Sequence, residues 1–257
     1  MSQLKLLAFN SDAKTIKGMK KGWLTFIMYL APSRASIPFG GRDTCPWASP
    51  GCSAACLFTA GRAQTFPKIN EARIRKTLWY FQNRAEFMAQ LHEDIAVAVR
   101  IAKKRGLKPC FRLNGTSDIS WTRVIREHPK LQFYDYGKSF DAVMFNDLPN
   151  YHLTFSRSEE NGDDAMRILA AGKNAAFVFS FPKPKEWMGY RVVDGDKNDL
   201  RFLDPKGVIV GLSAKGRARK DTSGFVVNSQ LELVSTAKTG WGRALERELH
   251  ERKMGLG

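Results

Sequence analysis

Cysteine and histidine are both scarce: the chain of 257 residues has 4 of each. So few thiols in so long a chain exclude a disulfide-stapled secreted scaffold. No two histidines form the His-x-His pair of rolling-circle nickases. There is no phosphate loop of the Walker type and no complete dinucleotide fingerprint. No run of about 18 apolar residues occurs, so no membrane-crossing helix is expected. The apolar stretch "WLTFIMYL" (23–30) is too short and starts too late for a secretory signal, and it has no small-residue cleavage site. The expected location is the cytoplasm, away from membranes. Low-complexity segments and internal repeats are absent. Acidic residues are the minority charge, 25 against 41 lysines and arginines.

That imbalance leaves a formal net charge of +16 at pH 7, a field that favours polyanions. The basic residues concentrate in "INEARIRK" (69–76), "AKKRGLK" (102–108) and "AKGRARK" (214–220). Three separate stretches point to a face of a folded domain rather than a basic tail. Nucleic acid is the expected partner, DNA ahead of RNA.

Short β-branched and aromatic runs alternate with helical patterns. Strands are expected at 23–30, 108–114, 131–136, 151–158, 175–181, "YRVVD" and "GVIVGL". Helices are expected across the apolar positions Ile74 to Val99 (one helix, or two broken near Gln82–Asn83), in "SWTRVIREH" capped by Ser117 or Ser120, in "SFDAVMFN" and in "GDDAMRILAAGK". Repeated strand–helix alternation implies a parallel sheet. "AAFVFSF" and "GVIVGL" are apolar on both parities, as in strands buried on both faces. The fold class is α/β: a full or partial parallel (β/α) barrel over residues 1–215. Residues 216–257 form a basic extension with a hairpin around "TSGFVVNSQLELV" and a terminal helix (240–253). Active sites of such folds lie at the carboxyl ends of the strands.

Three of the cysteines stand together in "CPWASPGCSAAC", at Cys45, Cys52 and Cys56. A structural zinc site needs four ligands, usually in two close pairs. The spacing here is C-x6-C-x3-C, with no fourth Cys or His nearby. Three thiolates with one open position suit an iron–sulfur cluster whose fourth iron takes a cofactor. Zinc completed by a distant His or by Cys110 is the alternative, and three unligated thiols in a loop is the third reading.

The loop follows the first buried strand and precedes the first long helix, as in radical S-adenosylmethionine (SAM) enzymes, although their usual spacing is C-x3-C-x2-C. It resembles more closely the "gene product eighty-eight" family of phage and plasmid proteins. That resemblance rests on the loose cysteine loop and on "RLNGTSD" after the next strand, and it covers about residues 20–215. In the radical SAM comparison Arg112, Asn114, Gly115 and Asp118 sit where the methionine amino group is held. Gly207 and Gly211 of "GVIVG" resemble the segment under the adenine, with Ala214 where a glutamate often follows. The resemblance implies a barrel and a cofactor site, not a particular reaction.

Other polar residues sit at strand ends. Lys138 in "YDYGKS" and Arg157 in "TFSRS" suit a carboxylate or phosphate. "AKGRARK" has no aromatic neighbour and suits phosphate contact, through Lys215, Arg217 and Arg219. Asp194 begins a run of aspartates best read as an Asp-Gly turn. Asp118 and Asp194 could instead form a catalytic pair. The leading expectation is a phage- or plasmid-borne, SAM-dependent nucleic-acid-modifying enzyme with a 4Fe-4S cluster on Cys45, Cys52 and Cys56. One alternative is a barrel-type DNA-guanine transglycosylase inserting a 7-deazaguanine base, with Asp118 and Asp194 acting and zinc structural. The other is a non-catalytic DNA-binding protein.

Overall fold

The computed structural model describes residues 4–10, 13–56 and 66–228. Its frame is a 10-stranded sheet. β1 (Leu7–Phe9) forms one edge. β2 (Trp23–Met28), β3 (Lys108–Arg112), β4 (Gln132–Gly137), β5 (Tyr151–Ser156) and β6 (Ala175–Phe179) follow in chain order. Beyond β6 the order reverses: β9 (Ile209–Ser213), then β8 (Tyr190–Asp194), then β7 (Glu186–Trp187). The pairs from β2 to β9 and β8 are all parallel, while β1 and β7 run antiparallel to their neighbours.

β2, β6 and β9 are buried on both faces, as their unbroken apolar runs require. Every residue of β2 after Trp23 is buried. On one face, Phe26, Phe111 and Phe133 pack against Tyr80, Phe87, Leu91 and Ile95 of α3 (Pro67–Gln82) and α4 (Arg84–Lys104). Further along that sheet, Phe155, Phe177 and Ile209 pack against Ala165, Ile168 and Leu169 of α7 (Gly162–Ala170). α1 (Ala13–Met19), α2 (Pro50–Ala54), α5 (Thr122–Glu127) and α6 (Phe140–Met144) are shorter. The long helical region breaks at Asn83, whose φ of −135° and ψ of 67° are not helical. Glu86 holds the break by accepting from the Asn83 amide at 2.6 Å and the Trp79 indole at 3.0 Å.

The sheet is not closed, so the expected barrel is not formed. Both outer strands are short and run against the parallel set, and neither can continue a parallel ladder round to the other edge. Side chains fill the inner face instead. The segment after β8 lies over the start of the sheet: Phe202 meets the Trp23 ring with centroids 4.8 Å apart, and Leu200 packs with Cys110 and Tyr134. Asp199 pairs with Arg112 at 3.2 Å and accepts from the Tyr134 hydroxyl at 3.1 Å. Tyr136 stacks under the same guanidinium at 4.9 Å.

Two local expectations change. α5 has Trp121 at its N-cap without a side-chain cap. Ser117 instead donates to Asn114, and Ser120 bonds Thr122. The expected hairpin is replaced, in its described part, by β10 (Val226–Val227), which pairs parallel with β6. The rest of that hairpin and the expected terminal helix lie outside the described residues. No helix among the described residues is long and apolar enough to cross a membrane.

Candidate functional site

The chain leaving β2 carries the cysteine loop, and it is stitched to the exits of the next strands. The Thr44 hydroxyl donates to Ala31 O at 2.6 Å, and the Asp118 N–H donates to Thr44 O at 2.8 Å. That second bond joins the loop to the β3 exit. Cys45 follows, its thiol 3.7 Å from Thr116 O. Ser49 caps α2 by accepting from the Cys52 N–H at 3.1 Å, and Pro50 takes the first helical position, where its missing N–H is no loss. Glu159, past the end of β5, grips this helix start. It accepts from the Ser49 hydroxyl at 2.8 Å and from the Gly51 N–H at 2.6 Å. Cys56 lies two residues beyond α2. Gly115 permits the tight β3 exit: its N–H donates to Met28 O at 3.0 Å, and an added Cβ would sit 2.6 Å from that oxygen and from Ile27.

Lys138, immediately after β4, is the electrostatic centre of this mouth. Asp118 accepts from its backbone N–H at 3.0 Å. Burial pulls the Lys138 ammonium down, but Cys52, Asp118, Cys45 and Cys56 around it outweigh burial and leave it raised. Burial pushes the Cys52 and Cys45 thiols up, with Lys138 partly opposing. Burial also raises the Asp118 carboxyl against the pull of Lys138. The site therefore sets two thiols raised by burial, Cys45 and Cys52, beside one cation. Among the described residues, no group of three or more His, Cys, Asp or Glu side chains is set to hold a metal ion. Beside Lys138 opens a cavity of about 250 Å³, lined by Trp47, Phe140, Asp141, Glu160 and Asp164 among others.

A family model for gene product 88 matches residues 5–229 of the chain. The chain belongs to the gene product 88 family. Among its relatives is the Gene 88 protein of Mycobacterium phage L5, 27% identical over 155 residues, which are 55% of this chain and 64% of that protein. The Gene 88 protein of Mycobacterium phage D29 is 26% identical over 200 residues, 70% of this chain and 82% of that protein. The chain thus spans a little under two thirds of the L5 protein. No solved structure matches the chain. Both relatives are phage proteins, which supports a phage origin, and the region matching the gene product 88 model includes the whole mouth.

In this gene product 88 member the other expected site residues scatter. Asn114 is taken up by structure: its side chain bonds Ile119 O, Ser117, the Ile119 N–H and the Trp121 indole. Arg112 faces Asp199 on the inner side of the sheet. Gly207 turns the chain into β9 with φ +65°, and Gly211 lies against Val192 and Lys183. Arg157 donates to Gly224 O and Phe225 O and so fastens β10. Asp194 pairs with Lys183 at 2.9 Å and shares no bonded partner with Asp118. Lys215 is held by Asp196 at 3.0 Å, whereas Arg217 and Arg219 are exposed on the turn Gly216–Lys220. Sequence reading passed over Glu159, Thr44 and Trp47. Glu159 follows "TFSRS" by one residue, and nothing in the sequence tied it to a loop more than a hundred residues earlier.

Proposed function

We propose that this protein is a nucleic-acid-modifying enzyme whose chemistry is carried by the mouth around Lys138. The observation that supports it most is the gathering of Cys45, Cys52, Cys56, Lys138 and Asp118 at the carboxyl ends of β2, β3 and β4, where parallel α/β sheets carry their sites. The thiols are the right donors in kind for a 4Fe-4S cluster used with SAM, or for zinc, and Lys138 offers counter-charge to thiolates. Metal uptake requires them to shed their protons and converge on one point. A bound cluster would supply one-electron chemistry, and zinc would supply Lewis acidity. Asp118 holds the Lys138 backbone in place, and Glu159 holds the helix start that bears Cys52. The net charge of +16 supports a polyanionic substrate. The paired-aspartate transglycosylase gains no support, because Asp118 and Asp194 have separate partners.

The test is iron, sulfide and zinc content of anaerobically purified protein, for wild type and Cys52→Ser. About four irons per chain in the wild type, lost in the variant, is the expected result. Wild-type protein that takes up neither iron nor zinc on reconstitution removes the metal from the reading. Failure to bind DNA or RNA at low salt removes the substrate.

A further inference from the structure

We infer that the cavity beside Lys138 receives a single nucleobase out of its stack, with an exocyclic amino group pointing at carboxylates. This deepens the nucleic-acid reading above and rests on it. Size is the first argument. The cavity holds about 250 Å³, below the roughly 300–1,000 Å³ of pockets that enclose drug-sized ligands. One planar base fits within that volume.

Charge is the second argument. The chain is strongly basic, yet Asp141, Glu160 and Asp164 line this cavity against one cation, Lys138. Asp164 is engaged by Arg167 at 3.2 Å. Asp141 and Glu160 are exposed, and no ion pair among the described residues involves either. A phosphate is repelled from such a lining, so the backbone of a bound strand must stay outside it. A neutral base can enter, and its N–H groups meet acceptor-only oxygens. Guanine, adenine and cytosine carry an exocyclic amino group, while thymine has none and offers a single ring N–H.

The third argument is Trp47. It stands on the cysteine loop between Cys45 and Cys52, is 59% exposed and lines the cavity. No aromatic ring or guanidinium among the described residues stacks on it. Phe140, also in the lining, already carries the Arg167 guanidinium at 4.2 Å on its ring. An uncovered indole at the rim of a base-sized cavity is a stacking platform. An extruded base stacked there lies next to the thiol loop. Enzymes that act on a base inside a duplex must bring it out in this way.

The test is fluorescence anisotropy of the full chain with labelled single strands of thymidine bearing one central guanine, adenine, cytosine or thymine. Central amino-bearing bases are expected to bind roughly tenfold tighter than thymine. Trp47→Ala is expected to cost roughly tenfold, and Trp47→Phe to recover most of it. The double variant Asp141→Asn, Glu160→Gln separates hydrogen bonding from repulsion. If the carboxylates accept from the base, the preference over thymine shrinks. If they only repel, all four strands bind tighter by the same factor and the inference fails. Uniform binding indifferent to Trp47 and to the central base overturns the base pocket and leaves the broader reading standing. No binding to any strand at about 50 mM salt, where phosphate contacts are strong, overturns both.

Discussion

Asp135 is fully buried behind the mouth, where its carboxylate accepts from the Asn114 N–H at 2.8 Å and the Tyr151 hydroxyl at 3.3 Å. Burial pushes its carboxyl up to about 7 from the ordinary 3.8, with Arg112 pulling the other way. The folded state therefore holds a proton that the unfolded state has released across that window. Its contribution is present below about pH 4 and is lost as pH rises through about 7. Asp135→Asn keeps the bond from the Asn114 N–H on its amide oxygen, turns its amide N–H toward the Tyr151 oxygen as a donor, and removes the ionisation. It should gain stability over wild type as pH goes from about 4 to about 7, read as the difference in urea midpoint. A constant difference across that range would show that Asp135 is ionised throughout. At the same scale, Cys110 and Cys52 separate by environment. Cys110 is buried in β3, its thiol 3.3 Å from the Thr25 hydroxyl, so Cys110→Ser retains a partner and costs about 1 kcal/mol. Metal content, if the loop binds metal, should fall in Cys52→Ser and be unchanged in Cys110→Ser. The position of Cys110 in a strand was legible from the run at 108–114. The fate of Arg157 was not: its acceptors lie 67 and 68 residues away, and no local pattern points a strand-end arginine at a distant backbone.

Elements with strong local patterns were readable, and elements made by tertiary contacts were not. The apolar runs of β2, β6 and β9 and the amphipathic α7 follow from composition and period alone. β1 is three residues long and is held by a buried carboxylate on a helix far down the chain. Asp94 of α4 accepts from the N–H groups of Leu6 at 2.7 Å and Leu7 at 2.9 Å, and from Lys5. Lys76 adds a bond to Leu6 O at 2.8 Å. Asp94→Ala leaves these donors unpaired in the interior and should cost about 3 kcal/mol, a fall in Tm of roughly 6–12 °C for a chain of this size. An unchanged Tm would mean that water replaces the carboxylate. The helix break at Asn83 shows the same limit. Seven apolar positions from Ile74 to Val99 suggest one face, but α3 buries Thr77 and Tyr80 while α4 buries Phe87, Leu91 and Ile95. The break resets the phase, so a single stripe describes α4 better than α3. α2 depends on Glu159 in like manner. Glu159→Ala frees the Gly51 N–H and the Ser49 hydroxyl, and hydrogen exchange over residues 45–56 should quicken while β2 and β3 stay protected.

At the scale of the whole molecule, the +16 charge is a sum of cations that are free and cations that are spent. Asp196 alone gathers Lys14 and Lys183 at 2.9 Å and Lys215 at 3.0 Å. Burial works against its carboxylate, but the hydrogen bonds from Lys14 and Lys183 hold it far below the usual range. Lys215, which the sequence groups with Arg217 and Arg219, is therefore engaged within the fold. Arg217 and Arg219 project from the turn after β9, and no ion pair among the described residues involves them. Each phosphate neutralised on duplex DNA adds about 0.9 to the slope of log affinity against log salt. Arg217→Ala with Arg219→Ala should flatten that slope by about two units, and Lys215→Ala by much less. The loss should be nearly the same for any duplex sequence, since phosphate contacts position without reading bases. A slope unchanged in the double variant moves the phosphate track away from this turn. A Lys215→Ala effect as large as that of an arginine would mean that its bond to Asp196 opens to admit the nucleic acid.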